Sequence, residues 1–376
     1  MASLIFLIIL TCIAIAGYLI TPDHTPYCNE QILEVRLLKP GSSVKILKIR
    51  KNKSIEKKSF FHRMLFGEEN PYTPVPITGY HFKGDSIMVA LYNEIPPFQY
   101  KSYHLLDVCF PLHEKAPVTK NGDIFTFHDI QSNENKIKRS ELEKMIEEKC
   151  LQDKLFILGT DRYGRDMLSQ LVIGARISLS IGFIAVCIAL FIGIFLGSVA
   201  GYYGGKTDDI ISWFINVVWS VPTLLLVIAI SFVLGAGFWQ VFIAIGLTAW
   251  VDIARVVRGQ FISYKEKEYV ESAKSMGFKN FTIMFRHILP NLNGTILVIC
   301  ASNFASAILT EAGLSFLGIG VQSPMPSWGS MIKENYGYII LDYAYLAIVP
   351  GIAIVMLVLA FMLLGNTLRD ISDVRE

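Results

Sequence analysis

The residues that come nearest to a reactive constellation run Ala200-Gly201-Tyr202-Tyr203-Gly204-Gly205-Lys206-Thr207. A phosphate-binding loop sets backbone N–H groups, between a buried strand and a helix, around phosphate oxygens. Here Ala200 stands where the first glycine is needed, and a long uncharged run precedes it. The stretch is therefore expected to be a glycine-rich turn. Seven histidines, including His104, His113 and His128, show no HExxH or comparable zinc spacing. Scattered histidines are expected, and no metal site. No local motif joins a nucleophile to a base. No catalytic residue is assigned, and no cofactor is expected on this chain.

Composition points to a membrane instead. Of 376 residues, 52% are hydrophobic and 18% charged, against about 45–50% and about 25% in soluble domains. The excess lies beyond Ile177, whereas 21–153 reads as an ordinary soluble sequence. A net charge of +2 offers no nucleic-acid footprint, so no nucleic-acid partner is expected. A helix needs about 20 apolar residues to cross about 30 Å of hydrocarbon. Six stretches meet or approach that length: 4–20, 177–200, 210–234, 239–253, 294–310 and 344–364. The first is read as a retained anchor. No basic stretch precedes it and no clean cleavage pattern follows, as a signal peptide requires. Pro222 is expected to kink the third.

Loop charge orients the spans. The connection after the fourth carries Arg255, Arg258, Lys265, Lys267, Lys274, Lys279 and Arg286, whereas 235–238 has no Lys or Arg and 312–343 only Lys333. The basic loop is expected in the cytoplasm. Six spans then place both termini there, and 21–155 outside. Asp252 and Arg255 read as the end of the fourth span and Glu311 as the end of the fifth, with no ionisable group at mid-span. That pattern argues against an ion-coupled carrier, because intramembrane charges usually mark an ion path.

The basic loop contains Glu-Tyr-Val-Glu-Ser-Ala-Lys-Ser-Met-Gly from Glu268 to Gly277. Residues 265–276 suit a short helix, with Tyr269, Ala273 and Met276 on one face. Gly277 suits the left-handed residue that closes it. Phe281, Met284, Phe285 and Ile288 form a second apolar stripe, and Pro290 suits the opening turn of the next helix. Two short helices joined at a glycine make either a docking element or a surface-lying amphipathic loop.

This stretch resembles the EAA loop of binding-protein-dependent ABC importer permeases. Glu271, Ser272, Ala273, Gly277, Leu289 and Pro290 fall at the spacing of that pattern. Ser272 replaces the usual alanine, and His287 the usual isoleucine. Around it, Gly159-Thr160-Asp161, Gly164-Arg165-Asp166, the segment from Thr310-Glu311 to Gly318, and Pro326-Ser327-Trp328-Gly329 resemble the C-type subunit of dipeptide, oligopeptide and nickel importers. The resemblance runs from about Leu158 to the C-terminus. It implies a heterodimer with a homologous second permease, two cytoplasmic ATP-binding subunits that use ATP and Mg, and an extracytoplasmic solute-binding protein. It further implies that the EAA loop is the element gripped by the ATPase subunits.

The expected fold is an all-α polytopic membrane protein with six transmembrane helices, one anchor plus a five-helix importer permease core, and an extracytoplasmic α+β insert. The expected divisions are an anchor at 1–20, an insert at 21–155, an amphipathic lead-in at 156–176, a core at 177–366 with coupling loop 257–291, and a cytoplasmic tail at 367–376. Within the insert, 44–50, 86–92 and 124–127 read as strands. Ser140 and Glu143 read as a capping box opening a helix through Glu148, and Pro71, Pro74, Pro76, Pro96 and Pro97 as loop punctuation. Asp161, Arg162, Arg165 and Asp166 read as ion-paired structure more than substrate contacts. The expected function is peptide translocation across the inner membrane of a bacterium, with membrane lipid around the spans. Nickel or another small solute, or a scaffold acting through the insert, are the alternatives.

Overall fold

A computed structural model describes all residues except 1, 55, 57, 93–99, 114–117, 236 and 374–376. Pro96 and Pro97 therefore lie outside the described residues. The chain forms two compact units, Ile15–Ile173, and Met1–Ala14 with Gly174–Glu376. Helix α1 (Ala2–Ile20) opens the chain and carries no charged residue.

The first unit holds β1 (Ser42–Arg50), α2 (Phe60–Phe66), β2 (Tyr72–Lys83), β3 (Ser86–Leu91), β4 (Tyr100–His104), α3 (Leu105–Cys109), β5 (Thr119–Asn121), β6 (Ile124–His128), β7 (Glu134–Lys138), α4 (Arg139–Met145) and β8 (Leu151–Phe156). Antiparallel pairing gives one sheet in the order β4-β3-β2-β1-β8 and another in the order β5-β6-β7. Leu47, Ile87, Val89, Phe125, Phe127 and Leu142 fill the core between them. Pro74 and Pro76 do not break the chain but lie inside β2, facing Lys48 and Ile46 of β1. The β3 pairing begins only at Ile77. These prolines thus occupy a stretch that one neighbour alone pairs, where a missing N–H is tolerated.

The expected capping box is absent. Lys138 is the N-cap of α4 and makes no side-chain cap. Glu143 instead holds Arg139 one turn earlier, at 2.9 Å. The helix also ends early, passing into a π turn over Ile146–Cys150. In the core the Cys109 thiol shares a hydrogen bond with Cys150, whereas Cys28 packs with Tyr18 and Ile173. All three are free thiols.

The second unit holds α5 (Met167–Tyr203, entering the unit at Gly174), α6 (Gly205–Trp219), α7 (Thr223–Leu234), α8 (Phe238–Tyr264), α9 (Glu268–Ser275), α10 (Asn280–Thr282), α11 (Asn293–Leu317), α12 (Trp328–Asn335) and α13 (Tyr345–Asp373). A π turn (Ile283–Ile288) and a 3-10 turn (Leu289–Leu292) carry α10 into α11. Among the described residues five helical runs are long and apolar enough to cross a membrane: α1, α5, α8, Asn280–Leu317 and Tyr345–Asp370. Helices α6 and α7 make a sixth only if counted together, for they meet at 91°. The expected gentle kink at Pro222 is thus a full break. Pro222 is the N-cap of α7, where the ring costs no hydrogen bond.

Two further expectations fail for one reason, that the helices outrun their apolar windows. Helix α8 continues to Tyr264, so Asp252 and Arg255 sit inside it and not at its end. Glu311 lies within α11 and is fully buried. The spans therefore do carry ionisable groups.

Close packing joins these helices at small residues. A Cβ added at Gly193, Gly197 or Gly201 of α5 would come within 2.7, 2.5 or 2.6 Å of Ile253 Cβ, Ala254 O or Arg258 O of α8, respectively. This is the small-xxx-small contact that brings membrane helices together. Arg258 of α8 then clamps Asp208 of α6 with two hydrogen bonds, Nη2 to Oδ2 at 2.6 Å.

Candidate coupling loop and motif clusters

The loop begins one turn later than its composition indicates. Lys265 caps α8, and α9 starts after Lys267. Its inward face is Val270 and Ala273, both buried; Tyr269 and Met276 point outward. Val270 and Ala273 meet Ile283, Met284, Ile288 and Leu292 in the same core as Ile253, Val257 and Phe261 of α8. The loop is therefore packed onto the spans rather than tethered to them.

Gly277 has φ +78°. Its N–H donates to Lys274 O at 2.9 Å, and Phe278 N–H to Ala273 O at 3.2 Å, which closes the helix end. Glu271 and Ser272 are exposed, with the Ser272 hydroxyl donating to Glu268 O at 2.9 Å. The His287 ring lies 5.4 Å from that of Phe278. Leu289 packs on the core, and Pro290 opens the 3-10 turn. Asn291 ties the two halves together, donating to Tyr269 Oη at 3.2 Å and to His287 O at 2.8 Å. Tyr202, at the end of α5, donates to Asn280 Oδ1 at 3.0 Å. Outside this frame stand Tyr269, Met276, Phe278 and Phe281, all exposed. Of these, Phe278 was not singled out in the sequence, although an aromatic beside a turn glycine is a recognisable sign.

The Gly159–Asp166 motif is a structural clasp. The Thr160 hydroxyl donates to Val35 O and accepts from Leu38 N–H at 2.9 Å. Asp161 Oδ1 accepts from Tyr163 N–H and Arg165 N–H, both at 2.9 Å, and its Oδ2 takes the Arg165 guanidinium at 2.6 Å. Both side chains are buried. Gly159 and Gly164 have positive φ, and a Cβ at Gly164 would lie 1.8 Å from Ile32 O. Asp166 is the acceptor at the start of α5, bonded to Ser169 N–H at 2.8 Å and to the Ser169 hydroxyl.

Burial, with the Asp23 charge nearby, holds the Asp166 carboxyl above its ordinary value. The protonated form is thus favoured in the fold. Stability is greatest below the ordinary carboxylate value and falls as pH rises through the raised one. Asp166→Asn keeps an acceptor and cannot ionise. It is expected to flatten the pH dependence of the thermal midpoint between mild acid and neutrality; an unchanged slope would assign that dependence elsewhere.

The third cluster joins α11 to α12. Glu311 Oε1 accepts from the Ser315 hydroxyl at 2.7 Å, with Ser178 and Ser327 alongside. Ser327 and Ser330 form a reciprocal capping box on α12. Pro326 and Trp328 are buried, and a Cβ at Gly174 would meet the Trp328 ring at 3.0 Å. Gly329 sits against Ala312, where a Cβ would lie 2.7 Å from its Cα. These motif residues build a helix junction. The glycine-rich stretch at 200–207 is the α5–α6 turn, with Gly204 and Gly205 at positive φ and no strand before it.

Long apolar helices, a bent helix pair and a core-packed basic loop define a polytopic membrane protein. Residues 193–375 match the model of the family described as "Binding-protein-dependent transport system inner membrane component". The glutathione transport system permease protein GsiD of Pectobacterium atrosepticum is 43% identical over 216 residues, 57% of this chain and 71% of that protein. The dipeptide transport system permease protein DppC of Alkalihalophilus pseudofirmus is 42% identical over 215 residues, 57% of this chain and 70% of its own. The oligopeptide transport system permease protein OppC of Bacillus subtilis is 40% identical over 215 residues, with the same two shares. The chain belongs to the family of binding-protein-dependent transport system inner membrane components.

Proposed function

We propose that this chain is one permease of an ATP-driven peptide importer and moves dipeptides or oligopeptides across the inner membrane. The observation that carries the reading is the loop around Gly277, with its inner face fused to the core of the spans and with Met276, Phe278 and Phe281 exposed on its outer face among charged neighbours such as Glu271, Lys274 and Lys279. An exposed Met276-Phe278-Phe281 face suits a groove on a cytoplasmic ATP-binding subunit, the member that uses ATP and Mg. Movement of that subunit reaches the spans because Val270, Ala273 and Met284 leave the loop no slack. Transport then follows as a population shift between two arrangements of the helices. The names of the relatives, which specify glutathione, dipeptides and oligopeptides, support a peptide cargo. The remaining partners are a homologous second permease, completing a heterodimer, and an extracytoplasmic solute-binding protein. Counting α6 and α7 as one broken span keeps both termini cytoplasmic and puts the β-rich unit on the outside, where it meets the binding protein or the second permease.

Gly277 supplies the test. Nothing lies within 4 Å of a Cβ built there, so only its backbone conformation is at stake. Asparagine visits the left-handed region, whereas a β-branched residue pays at least the ordinary cost of about 1–2 kcal/mol. In proteoliposomes holding the whole transporter, Gly277→Val is expected to leave ATP hydrolysis uncoupled from peptide uptake or to block assembly. Gly277→Asn is expected to preserve coupling. Full coupled uptake by the valine variant would remove the loop from the mechanism, and wild-type uptake without any ATPase subunit would end the proposal.

A further inference from the structure

The α6–α7 break opens a cavity of about 230 Å³ inside the span-forming unit. Trp219, Thr223, Thr248, Asp252, Asn303 and Thr310 are among its lining residues, and Asp252 is the one charged residue in the lining. Asp252 stands in the interior of α8 and is exposed. Among the described residues no hydrogen bond or ion pair reaches its carboxylate. The neighbouring polar groups are occupied by their own helices. Thr248 donates to Ile245 O at 2.9 Å, Asn303 to Ile299 O at 3.0 Å, and Thr310 to Ser306 O at 2.8 Å. The nearest cation on α8, Arg255, stacks on the cavity-lining Trp219, with its guanidinium 3.9 Å from the ring centroid, and its Nη2 donates to Asn216 at 3.4 Å, with no ion pair to Asp252.

Ionisable groups within spans are costly and face protein or water-filled cavities instead of lipid. Both helix ends at the α6–α7 break reach the same space. The C-terminal end of α6, at Val218 and Trp219, and the N-terminal end of α7, at Thr223, line the cavity together, so their opposite partial charges offset and the formal charge there is that of Asp252. The volume is below the usual range for a whole ligand, so it suits one end of a substrate.

We propose that Asp252 is the anionic station of the translocation path and receives the α-ammonium of a peptide as it passes the α6–α7 break. This rests on the peptide-permease reading above. The remainder of the substrate would lie toward the second permease.

The test uses the whole transporter in proteoliposomes, with trialanine and N-acetyl-trialanine as probes. In wild type, trialanine is expected to be the preferred substrate. In Asp252→Asn, its uptake is expected to fall at least about ten-fold relative to the acetylated peptide, the loss of one charge-assisted hydrogen bond. An unchanged ratio, or an equal fall for both peptides, would overturn the assignment. A second measurement does not depend on transport. A cysteine introduced by Ser306→Cys is expected to react about ten-fold faster with a cationic than with an equally sized anionic thiosulfonate, and Asp252→Asn is expected to abolish that preference. Equal rates before the aspartate is changed would overturn the proposal. Wild-type failure to move either peptide, with the labelling preference intact, would defeat the peptide reading while leaving Asp252 as a cation station.

Discussion

Gly197→Val is expected to prevent the span-forming unit from reaching a stable fold. The Cβ alone would sit 2.5 Å from Ala254 O and 2.9 Å from Val257 Cβ, and the first of these is helix backbone. Side chains can swing aside from such a clash; a carbonyl held in a helix cannot. Relief therefore requires α5 and α8 to separate. That separation would also loosen the contacts at Gly193 and Gly201, one turn away on either side. In lipid the helices gain no hydrophobic driving force from meeting, so packing is what holds them. Overfilling a soluble core by a few methylenes costs about 1–3 kcal/mol; a branched side chain against backbone is expected at or above the top of that range. The readout is the thermal midpoint and protease resistance of the purified chain in mild detergent. Gly313→Ala in α11 is the matched control, because nothing lies within 4 Å of its Cβ. It is expected to be neutral or to gain up to about 1 kcal/mol from helix propensity. A valine variant that melts with wild type would show that the α5–α8 approach is looser than 2.5 Å implies.

That stripe also marks what was legible in the sequence. Its four-residue spacing inside an apolar run is a direct sign of a close helix pair, yet long uncharged runs draw attention to span length instead. Five of the six expected spans came through because apolar length is a property of composition, whereas the run 210–234 is two helices that meet at 91° and make a sixth only if counted together. Span ends did not come through, because amphipathic continuations such as Ala254 to Tyr264 are held by packing on one side. This is why Asp252 and Glu311 read as terminal groups when they are interior ones. Strands β1, β3 and β6 were visible as runs of branched and aromatic residues. Strand β2 was hidden because Pro74 and Pro76 imitate loop punctuation, and only the shorter reach of β3 explains their presence. At the loop, the glycine was legible from its place after a helical pattern. The helix face was misread by one residue. Val270 faces inward where Tyr269 was expected, since Tyr269 instead meets Asn291 from the other side of the turn. The Gly159–Asp166 clasp could be read as ion-paired structure, but its dependence on Ile32, Val35 and Leu38 is a long-range contact that local pattern does not encode.

Asp161→Ala is expected to cost about 3–5 kcal/mol, the usual consequence of removing one partner from a buried ion pair. The guanidinium of Arg165 would lose its carboxylate partner while keeping weaker neighbours, among them Asn29 Oδ1 at 3.4 Å and the Tyr163 ring at 4.8 Å from its centroid. Two backbone donors, Tyr163 N–H and Arg165 N–H, would lose their acceptor as well. Charge and backbone contributions separate by comparing variants. Arg165→Met removes the cation but leaves Asp161 capping the turn, so it is expected to cost less than Asp161→Ala. In the double variant no buried charge is stranded, and the combined loss is expected to be smaller than the sum of the two single losses. Additive losses would mean that the two side chains stabilise the turn independently and that the pair itself contributes little. Hydrogen exchange provides the spatial check. Leu37 N–H donates to Asp161 O at 3.0 Å and Ile32 N–H to Tyr163 O at 3.2 Å. Protection at both amides is expected to fall with Asp161→Ala, and the fall should spread outward from the clasp, because the turn that presents both carbonyls is the one the carboxylate holds.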